Sequence, residues 1–159
     1  MPHQIPVAEL QELARAQFKR QDYKKALETI TEAIEASVAP TVSLLNDRAV
    51  VHERLNQLSL ALLDYRDAIK LDETNAIPYL RAGKILMTIN KHGKALEIYK
   101  RGLSKIRGKG ANDQLRRRYE ELAKSLSTQP SPPGTDPLAK FPAELIEMIL
   151  AHLSFQQTV

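Results

Sequence analysis

The chain has 159 residues and a formal net charge of +4, which fits one ordinary domain with a short appendage. Its hydrophobic content of 43% is enough for a core, yet only 5% of the residues are aromatic and Trp is absent, so a core of Leu, Ile and Ala favours helices over sheets. The absence of Cys excludes disulfides and thiolate metal sites and favours an intracellular, reducing compartment, and no stretch reaches the roughly 18 apolar residues of a membrane span.

Apolar residues recur at helical spacing in seven stretches, and runs of alternating β-branched residues are absent, so the sequence predicts an all-α protein. Asp22, Thr41, Asn75 and Asp113 stand at the starts of four stretches, where a side-chain oxygen can accept a hydrogen bond from a free amide of the first turn. In chain order the predicted helices cover residues 7–20, 23–36, 41–55, 58–71, 75–89, 91–106 and 113–126.

The helix predicted at 58–71 carries small, large and small residues in one stripe, and the same stripe recurs on both sides of it along the chain. Small residues let a neighbouring helix approach closely, while the ring or branched chain between them fills the gap. The stripes recur with a period of about 34 residues, which is that of a helix–turn–helix repeat. The three stripes are Ala61, Tyr65 and Ala68, then Ala26, Ile30 and Ala33 one period earlier, and Ala95, Tyr99 and Gly102 one period later.

The positive charge is concentrated in residues 100–118, which hold eight basic residues and one acid. The rest of the chain carries 15 basic and 18 acidic residues, so it is slightly negative. The basic stretch could attract an acidic protein segment or nucleic acid, and a solvated end face is an equal alternative. Direct nucleic-acid binding is the weakest of these interpretations.

A proline-rich segment divides the chain near its end. Residues 128–137 contain four prolines and one glycine, which predicts an extended linker and a domain boundary. Residues 138–159 then predict one short helix with a broad apolar face. Because isolated helices below roughly 12–15 residues are marginal, this helix needs a partner: it docks on the repeats, pairs two copies of the chain, or belongs to a larger domain.

The sequence up to Arg107 resembles three tetratricopeptide repeats (TPRs). The large first position of the TPR pattern is Leu10, Leu45 and Tyr79, and the small position after it is Ala14, Ala49 and Gly83. Arg48 departs from the pattern by replacing the usual leucine, and His52 and Leu86 stand where tyrosine is common. The resemblance implies a right-handed TPR superhelix of three helix pairs at about 7–40, 41–74 and 75–108, closed by a C-terminal capping helix at 113–127, all within one domain at 7–127.

Residues 138–159 resemble the start of an F-box, whose first helix begins Leu-Pro-x-Glu and continues with apolar pairs. An F-box is about twice this long, so we expect the sequence to be an N-terminal fragment that ends inside it. The resemblance implies adaptor binding through Phe141, Pro142, Glu144, Leu145, Ile146, Ile149 and Leu150.

The order of repeats, linker and F-box resembles the fungal F-box proteins with N-terminal TPRs and C-terminal leucine-rich repeats. In that family the F-box recruits the Skp adaptor of an SCF ubiquitin ligase, and the repeats tether the ligase to the DNA replication machinery, on which genome stability depends. The resemblance implies a non-catalytic role in the nucleus and also the cytoplasm, with no membrane partner. The alternative is a free-standing TPR scaffold whose C-terminal helix packs on its own repeats and has no ubiquitin role.

In stacked helix pairs the first helix of each pair lines a concave face. The side chains expected there mix cations, amides and apolar groups, which suits an extended peptide with acidic and apolar residues. The predicted groove residues are Gln11, Arg15, Phe18, Lys19, Asn46, Val50, Glu53, Arg54, Leu80, Arg81, Lys84 and Met87.

TPR co-chaperones hold the carboxylate terminus of heat-shock proteins with a Lys/Asn/Arg clamp. At the clamp positions this chain has Gln11, Arg15, Asp47, Ile77 and Arg81, of which only Arg81 matches. Asp47 would repel a carboxylate. The sequence therefore predicts that this chain lacks a chaperone clamp.

No arrangement of catalytic residues is found in the sequence. The histidines His3, His52, His92 and His152 show no metal-ligand spacing with one another or with carboxylates. Gly108 and Gly110 lack the length and the preceding strand of a phosphate-binding loop. The sequence therefore predicts no enzyme, no metal and no cofactor.

Overall fold

The computed structural model describes residues 4–106, 108 and 110–128. This part of the chain is all-α and contains seven helices and no strand, as the sequence predicts. The predicted linker beyond Thr128 and the F-box-like helix lie outside the described residues. The helices are α1 (Val7–Lys19), α2 (Tyr23–Ala36), α3 (Val42–Arg54), α4 (Leu58–Leu71), α5 (Ala76–Thr88), α6 (His92–Lys105) and α7 (Ala111–Thr128).

The chain forms two compact units, the first ending at Asp72 and the second beginning at Glu73. The first unit holds α1 to α4, in which α1 packs on α2, α2 on α3 and α3 on α4. The second unit holds α5 to α7, in which α6 packs on both α5 and α7, and α5 also touches α7. The sequence predicts one repeat domain over residues 7–127, and the structure divides that range after Asp72. The right-handed superhelix remains a prediction.

The repeated stripes form the core in both units, as their spacing predicts. Ile30 and Tyr65 are fully buried in the first unit, each between two buried alanines of its own helix. In α6 of the second unit, Tyr99 is buried between Ala95 and Gly102. Burial of these apolar side chains is the main source of stability for helices of this length.

Helices α5 and α6 pack closely because each presents a glycine to a tyrosine of the other. A Cβ atom added to Gly83 would overlap Cε1 and Cζ of Tyr99 and lie 2.8 Å from its Oη. A Cβ atom added to Gly102 would lie 2.9 Å from Cγ of Tyr79. The hydroxyl of Tyr79 donates a 2.9 Å hydrogen bond to the carbonyl of Glu73. Glycine is therefore required at both positions by the space available.

The turns within the three helix pairs use the same backbone motif at corresponding positions of the repeat. Gln21, Asn56 and Asn90 have φ values of 65°, 57° and 58°, and each lies between the two helices of its pair. The amide that follows each of them donates to a carbonyl five residues back, as in Lys91 N to Leu86 O at 2.7 Å. This is the bonding of a Schellman motif, and Asn tolerates the left-handed conformation better than most residues.

Two of the four predicted capping bonds are present. Thr41 accepts from the amide of Leu44 at 3.2 Å, and Asn75 accepts from the amide of Ile77 at 3.0 Å. Asp22 precedes α2 but makes no capping bond, and its carboxylate lies 3.3 Å from Nζ of Lys25. The prediction that Asp113 caps the last helix is wrong. Helix α7 begins earlier, at Ala111, because the left-handed φ of 101° at Gly110 completes the turn before it.

A polar cluster lies inside the first unit where the TPR pattern is broken. Arg48 on α3 donates two hydrogen bonds to Asp64 on α4, at 2.9 and 2.7 Å. Nε2 of His52 lies 3.8 Å from the same carboxylate, and its Nδ1 is 2.7 Å from Oε1 of Gln57. The side chain of Asp64 is only 5% exposed. Arg48 and His52, which depart from the TPR pattern, therefore both lie beside the buried carboxylate of Asp64.

Candidate functional site

A small apolar pocket lies between α1, α2 and α3 of the first unit, and we call it the first-unit pocket. Its volume is about 280 Å³. Its floor consists of buried aliphatic side chains, and its edges carry charged groups. The lining residues are Ala14, Arg15, Phe18, Lys19, Ile30, Asp47, Val50 and Val51.

One edge of the first-unit pocket is an ordered network around Asp47. Arg15 Nε and Gln11 Nε2 both donate to Oδ2 of Asp47, at 2.8 and 2.7 Å. Arg15 also donates to Glu12 at 2.8 Å and to Ser43 at 3.2 Å. The hydrogen bond to Asp47 is the main reason that the pKa of Arg15 is raised, so this guanidinium stays charged. The network joins α1 to α3.

Phe18 forms another part of the first-unit pocket lining. Its ring meets the ring of Tyr23 edge to face, with the centroids 5.3 Å apart. The guanidinium carbon of Arg54 lies 5.9 Å from the centroid of the same ring, at the outer range of a cation–π contact. The Phe18 ring is thus held in place between two neighbours and presents a fixed apolar wall.

The second unit contains a larger cleft between α5 and α7, which we call the second-unit groove. Its volume is about 670 Å³. Helix α5 provides one wall, α7 the other, and Tyr99 of α6 contributes to the lining. The lining residues are Ile77, Leu80, Arg81, Lys84, Met87, Tyr99, Gln114, Arg118, Glu121, Leu122 and Ser125.

The second-unit groove combines apolar side chains with an excess of positive charge. Arg81, Lys84 and Arg118 line it together with one acid, Glu121. The Arg118–Glu121 distance is 3.7 Å, and because both side chains are about 60% exposed the acid neutralises this edge only weakly. Burial raises the pKa of Tyr99 although Arg118 opposes the effect, so the phenol is neutral at physiological pH. The groove is chemically suited to an acidic ligand with apolar side chains.

Eight of the twelve predicted groove residues line one of these two cavities. Asp47 and the α7 wall of the second-unit groove are not among the predicted groove residues, since α7 is predicted as a cap only. Gln114, Arg118, Glu121 and Ser125 recur at helical spacing along α7. This polar stripe could have indicated that one face of α7 lines a groove. The first-unit pocket contains Arg15, Phe18, Lys19 and Val50, and the second-unit groove contains Leu80, Arg81, Lys84 and Met87.

Four predicted groove residues do not line either cavity. Gln11 is held by Asp47 and Ser43, and Arg54 stacks on Phe18 at the edge of the first-unit pocket. Glu53 accepts a 2.5 Å hydrogen bond from the hydroxyl of Tyr65, which directs it toward α4. Oδ1 of Asn46 is buried without a hydrogen-bond partner. The predicted adaptor-binding residues Phe141, Pro142, Glu144, Leu145, Ile146, Ile149 and Leu150 lie outside the described residues.

Part of the basic stretch at 100–118 serves the fold of the second unit. Arg101 and Lys105 bind the carboxylate of Glu73 at 3.0 and 3.1 Å. Burial alone would raise the pKa of Glu73, but the hydrogen bonds from Lys105 and Arg101 outweigh it and hold the pKa below its ordinary value. Arg101 and Lys105 are therefore engaged within the chain, which weakens the case for a continuous nucleic-acid surface.

Within residues 4–106, 108 and 110–128, no three His, Asp or Glu side chains converge as a metal site would require. None of the helices in this part of the chain combines the length and apolar character needed to cross a bilayer. The first-unit pocket and the second-unit groove are two candidate binding sites within the described residues.

The proteins that this sequence is similar to include two fungal ones. No protein-family model matches the chain. The F-box/TPR repeat protein pof3 of Schizosaccharomyces pombe is 31% identical over 155 residues, which are 96% of this chain and 26% of that protein. Protein DIA2 of Eremothecium gossypii is 40% identical over 60 residues, which are 38% of this chain and 9% of that protein. The chain thus spans about a quarter of the first relative's length and less of the second's.

The fold matches solved TPR domains. One of them is the first TPR domain of Spaghetti (RPAP3), bound to the HSP90 peptide SRMEEVD. The two structures align with a TM-score of 0.64 at 22% sequence identity, and the alignment covers 77% of this chain and 94% of the other. At this identity the likeness establishes the fold alone. The described helices have a TPR-like fold, and TPR domains are protein-interaction modules that hold peptides.

Proposed function

We propose that this chain is part of an F-box substrate receptor of an SCF-type ubiquitin ligase, and that its repeats bind a peptide segment of a partner. The proposal depends mainly on the extent of the match to the F-box/TPR repeat protein of Schizosaccharomyces pombe, which takes in 96% of this chain and so includes the F-box-like residues at 141–150. The role is non-catalytic. The repeats choose a partner, and the F-box holds the adaptor.

The second-unit groove is the peptide site of this proposal. Its volume of about 670 Å³ lies within the range of roughly 300–1,000 Å³ that is usual for ligand sites. Leu80, Met87 and Leu122 offer apolar contacts, while Lys84 and Arg118 offer positive charge at the rim. A segment that alternates acidic and apolar residues matches both features.

The peptide site is tested with a fluorescein-labelled peptide of alternating Asp and Leu, followed by anisotropy. Lys84→Glu is expected to weaken binding at least severalfold, because it places a negative charge at the rim, and added salt should weaken the wild type in the same direction. Lys124→Glu is the matched control, since Lys124 is exposed on α7 but does not line the groove. Equal losses in the two variants would contradict a specific site.

The adaptor role is tested in the full-length protein by pull-down with a Skp-type adaptor. The double change Leu145→Asp and Ile149→Asp places two charges on the apolar face of the predicted F-box helix, so adaptor binding should be lost. Lys84→Glu should leave it unchanged, because it affects the other function. Adaptor binding that survives the double change would refute the F-box assignment.

The free-standing scaffold is distinguished by deleting residues 138–159. A scaffold whose last helix packs on its own repeats would lose stability, because the deletion exposes the apolar surface which that helix covers. An F-box receptor would keep its melting temperature and lose only the adaptor. Attachment to the DNA replication machinery and location in the nucleus belong to the same proposal, and they rest on the resemblance of the domain order.

A further inference from the structure

All three helices of the second unit meet at one level along the second-unit groove. A Cβ atom added to Gly102 of α6 would lie 2.9 Å from Cγ of Tyr79 on α5 and 3.2 Å from Cδ1 of Leu115 on α7. Tyr79 and Leu115 are both fully buried. These two residues therefore mark matching positions on α5 and α7, which are the two walls of the groove.

A second level lies about one helical turn further along both walls. The ring of Tyr99 on α6 fills the space beside Gly83 of α5. Burial raises the pKa of the Tyr99 phenol and the charge of Arg118 opposes this effect, which places Arg118 of α7 near the same ring. Gly83 follows Tyr79 along α5, and Arg118 follows Leu115 along α7. The two walls are therefore parallel, and their residues can be matched level by level.

The middle of the second-unit groove is cationic. Arg81 and Lys84 line it from α5 on either side of the level of Gly83, and Arg118 lines it at that level from α7. Lys84 is exposed, and the 3.7 Å pairing of Arg118 with Glu121 is weakened by solvent because both side chains are about 60% exposed. Positive charge is thus available to a ligand at the centre of the groove.

The two ends of the second-unit groove are apolar. Ile77 and Leu80 line the end nearest the start of α5, where Ile77 is 53% exposed. Met87 lines the other end near Leu122 of α7, with its sulfur 3.3 Å from Nδ1 of His92. Ile77 and Met87 lie about 15 Å apart along α5, because each helical residue adds about 1.5 Å. An extended segment covers that distance in about four to five residues.

The two ends differ in charge. Glu121 follows Arg118 by about one turn, just as Met87 follows Gly83, so Glu121 lies at the Met87 end of the groove. The α7 wall at the other end carries the neutral Gln114. An acid of the ligand at the Met87 end would meet Glu121, and like charges repel each other. Proteins gain specificity by such repulsion as well as by attraction.

We propose that the second-unit groove selects the order of residues in its ligand. The ligand has acids in the middle, an apolar residue at each end about four to five positions apart, and no acid at the end beside Glu121. Glu121 is the specificity-determining residue of this arrangement. The inference rests on the proposed peptide-binding function of the groove, to which it adds the order and the spacing of the ligand side chains.

The test compares two labelled peptides of identical composition by anisotropy with the complete chain. The acid-centred peptide is Leu-Gly-Asp-Asp-Gly-Leu and the acid-ended peptide is Asp-Gly-Leu-Leu-Gly-Asp, both blocked at the termini. Their charges are equal, so general attraction to a basic surface is the same for both. Wild type should bind the acid-centred peptide about fivefold to tenfold more tightly, because the acid-ended one places an acid beside Glu121 in either direction of binding.

Two variants locate the source of the preference. Glu121→Gln should reduce it by about threefold, mainly through tighter binding of the acid-ended peptide, since the repelling charge is gone. Glu120→Gln is the matched control, because Glu120 is the neighbouring acid on α7, is exposed and does not line the groove. It should leave the preference unchanged. Circular dichroism verifies that both variants are folded.

The possible failures of this test are distinguishable. Equal binding of the two peptides by wild type overturns the inference, as does binding of the alternating Asp–Leu peptide alone. A preference that Glu121→Gln leaves unchanged, or that Glu120→Gln reduces equally, overturns the role of Glu121. Absence of binding by all three peptides would instead refute the proposed function, and the inference with it.

Discussion

Gly83→Ala should destabilise the chain by about 1–3 kcal/mol or more, because the new methyl group has no space. Its Cβ would overlap two ring carbons of Tyr99, which is itself buried between α6 and its neighbours. Either the ring leaves its rotamer or α5 moves away from α6, and both changes reduce packing in the second unit. Urea unfolding of wild type and variant would measure the loss.

The chain offers a matched control for this prediction. Gly93 is exposed in the first turn of α6, and a Cβ atom there meets nothing within 4 Å. Gly93→Ala should be neutral or stabilise by about 0.4–1 kcal/mol, because Ala loses less backbone entropy on folding. Gly83→Ala should also cost about 1 kcal/mol less in a Tyr99→Leu background, where the ring is absent. Equal losses in the two backgrounds would show that the ring is not the cause.

Asp64→Ala should cost about 3–5 kcal/mol, because it leaves the guanidinium of Arg48 in the interior without its partner. The carboxylate receives both hydrogen bonds of this pair, at 2.9 and 2.7 Å, and Nε2 of His52 lies 3.8 Å away. Arg48 is 25% exposed, so partial escape of its charge to water would place the loss at the lower end of this range. Thermal and urea unfolding would both report the change.

Two further variants show whether the loss of stability comes from burial of the Arg48–Asp64 pair or from the loss of any ion pair. Lys25→Ala breaks an exposed pair with Asp22 in the same unit and should change stability by less than about 1 kcal/mol. Arg48→Met combined with Asp64→Leu replaces the buried pair by apolar groups and should recover much of the loss. A double variant as unstable as Asp64→Ala would mean that the polar cluster itself is needed for the fold.

Features that depend on neighbours along the chain could be predicted from the sequence. The stripes around Ile30, Tyr65 and Tyr99 recur once in each helix pair, and all three large residues are buried. Thr41 and Asn75 make the capping bonds that their positions predict. These features follow from the helical period and from hydrogen bonds in the first turn of a helix. Both link residues that are only a few positions apart in the sequence.

Features that depend on which helices meet could not be predicted in this way. Asp22 has the chemistry of a cap, but in the fold its carboxylate pairs with Lys25. The sequence indicates that Asp47 would repel a carboxylate, but not that it is already bonded to Arg15 and Gln11 from another helix. Long side chains have many partners within reach, and only the packing of the backbone selects among them.

The sequence by itself determined the all-α class and the repeated helix pairs. Helical periodicity and small–large–small stripes depend only on residues close together in the sequence, so they can be read without knowing how the helices pack. The tertiary structure alone decided the division after Asp72, the α7 wall of the second-unit groove, and the pairs Arg48–Asp64 and Arg15–Asp47. The physical reason is that cavities and ion pairs arise where separate helices meet. Their geometry depends on angles and distances between helices, which local periodicity does not specify.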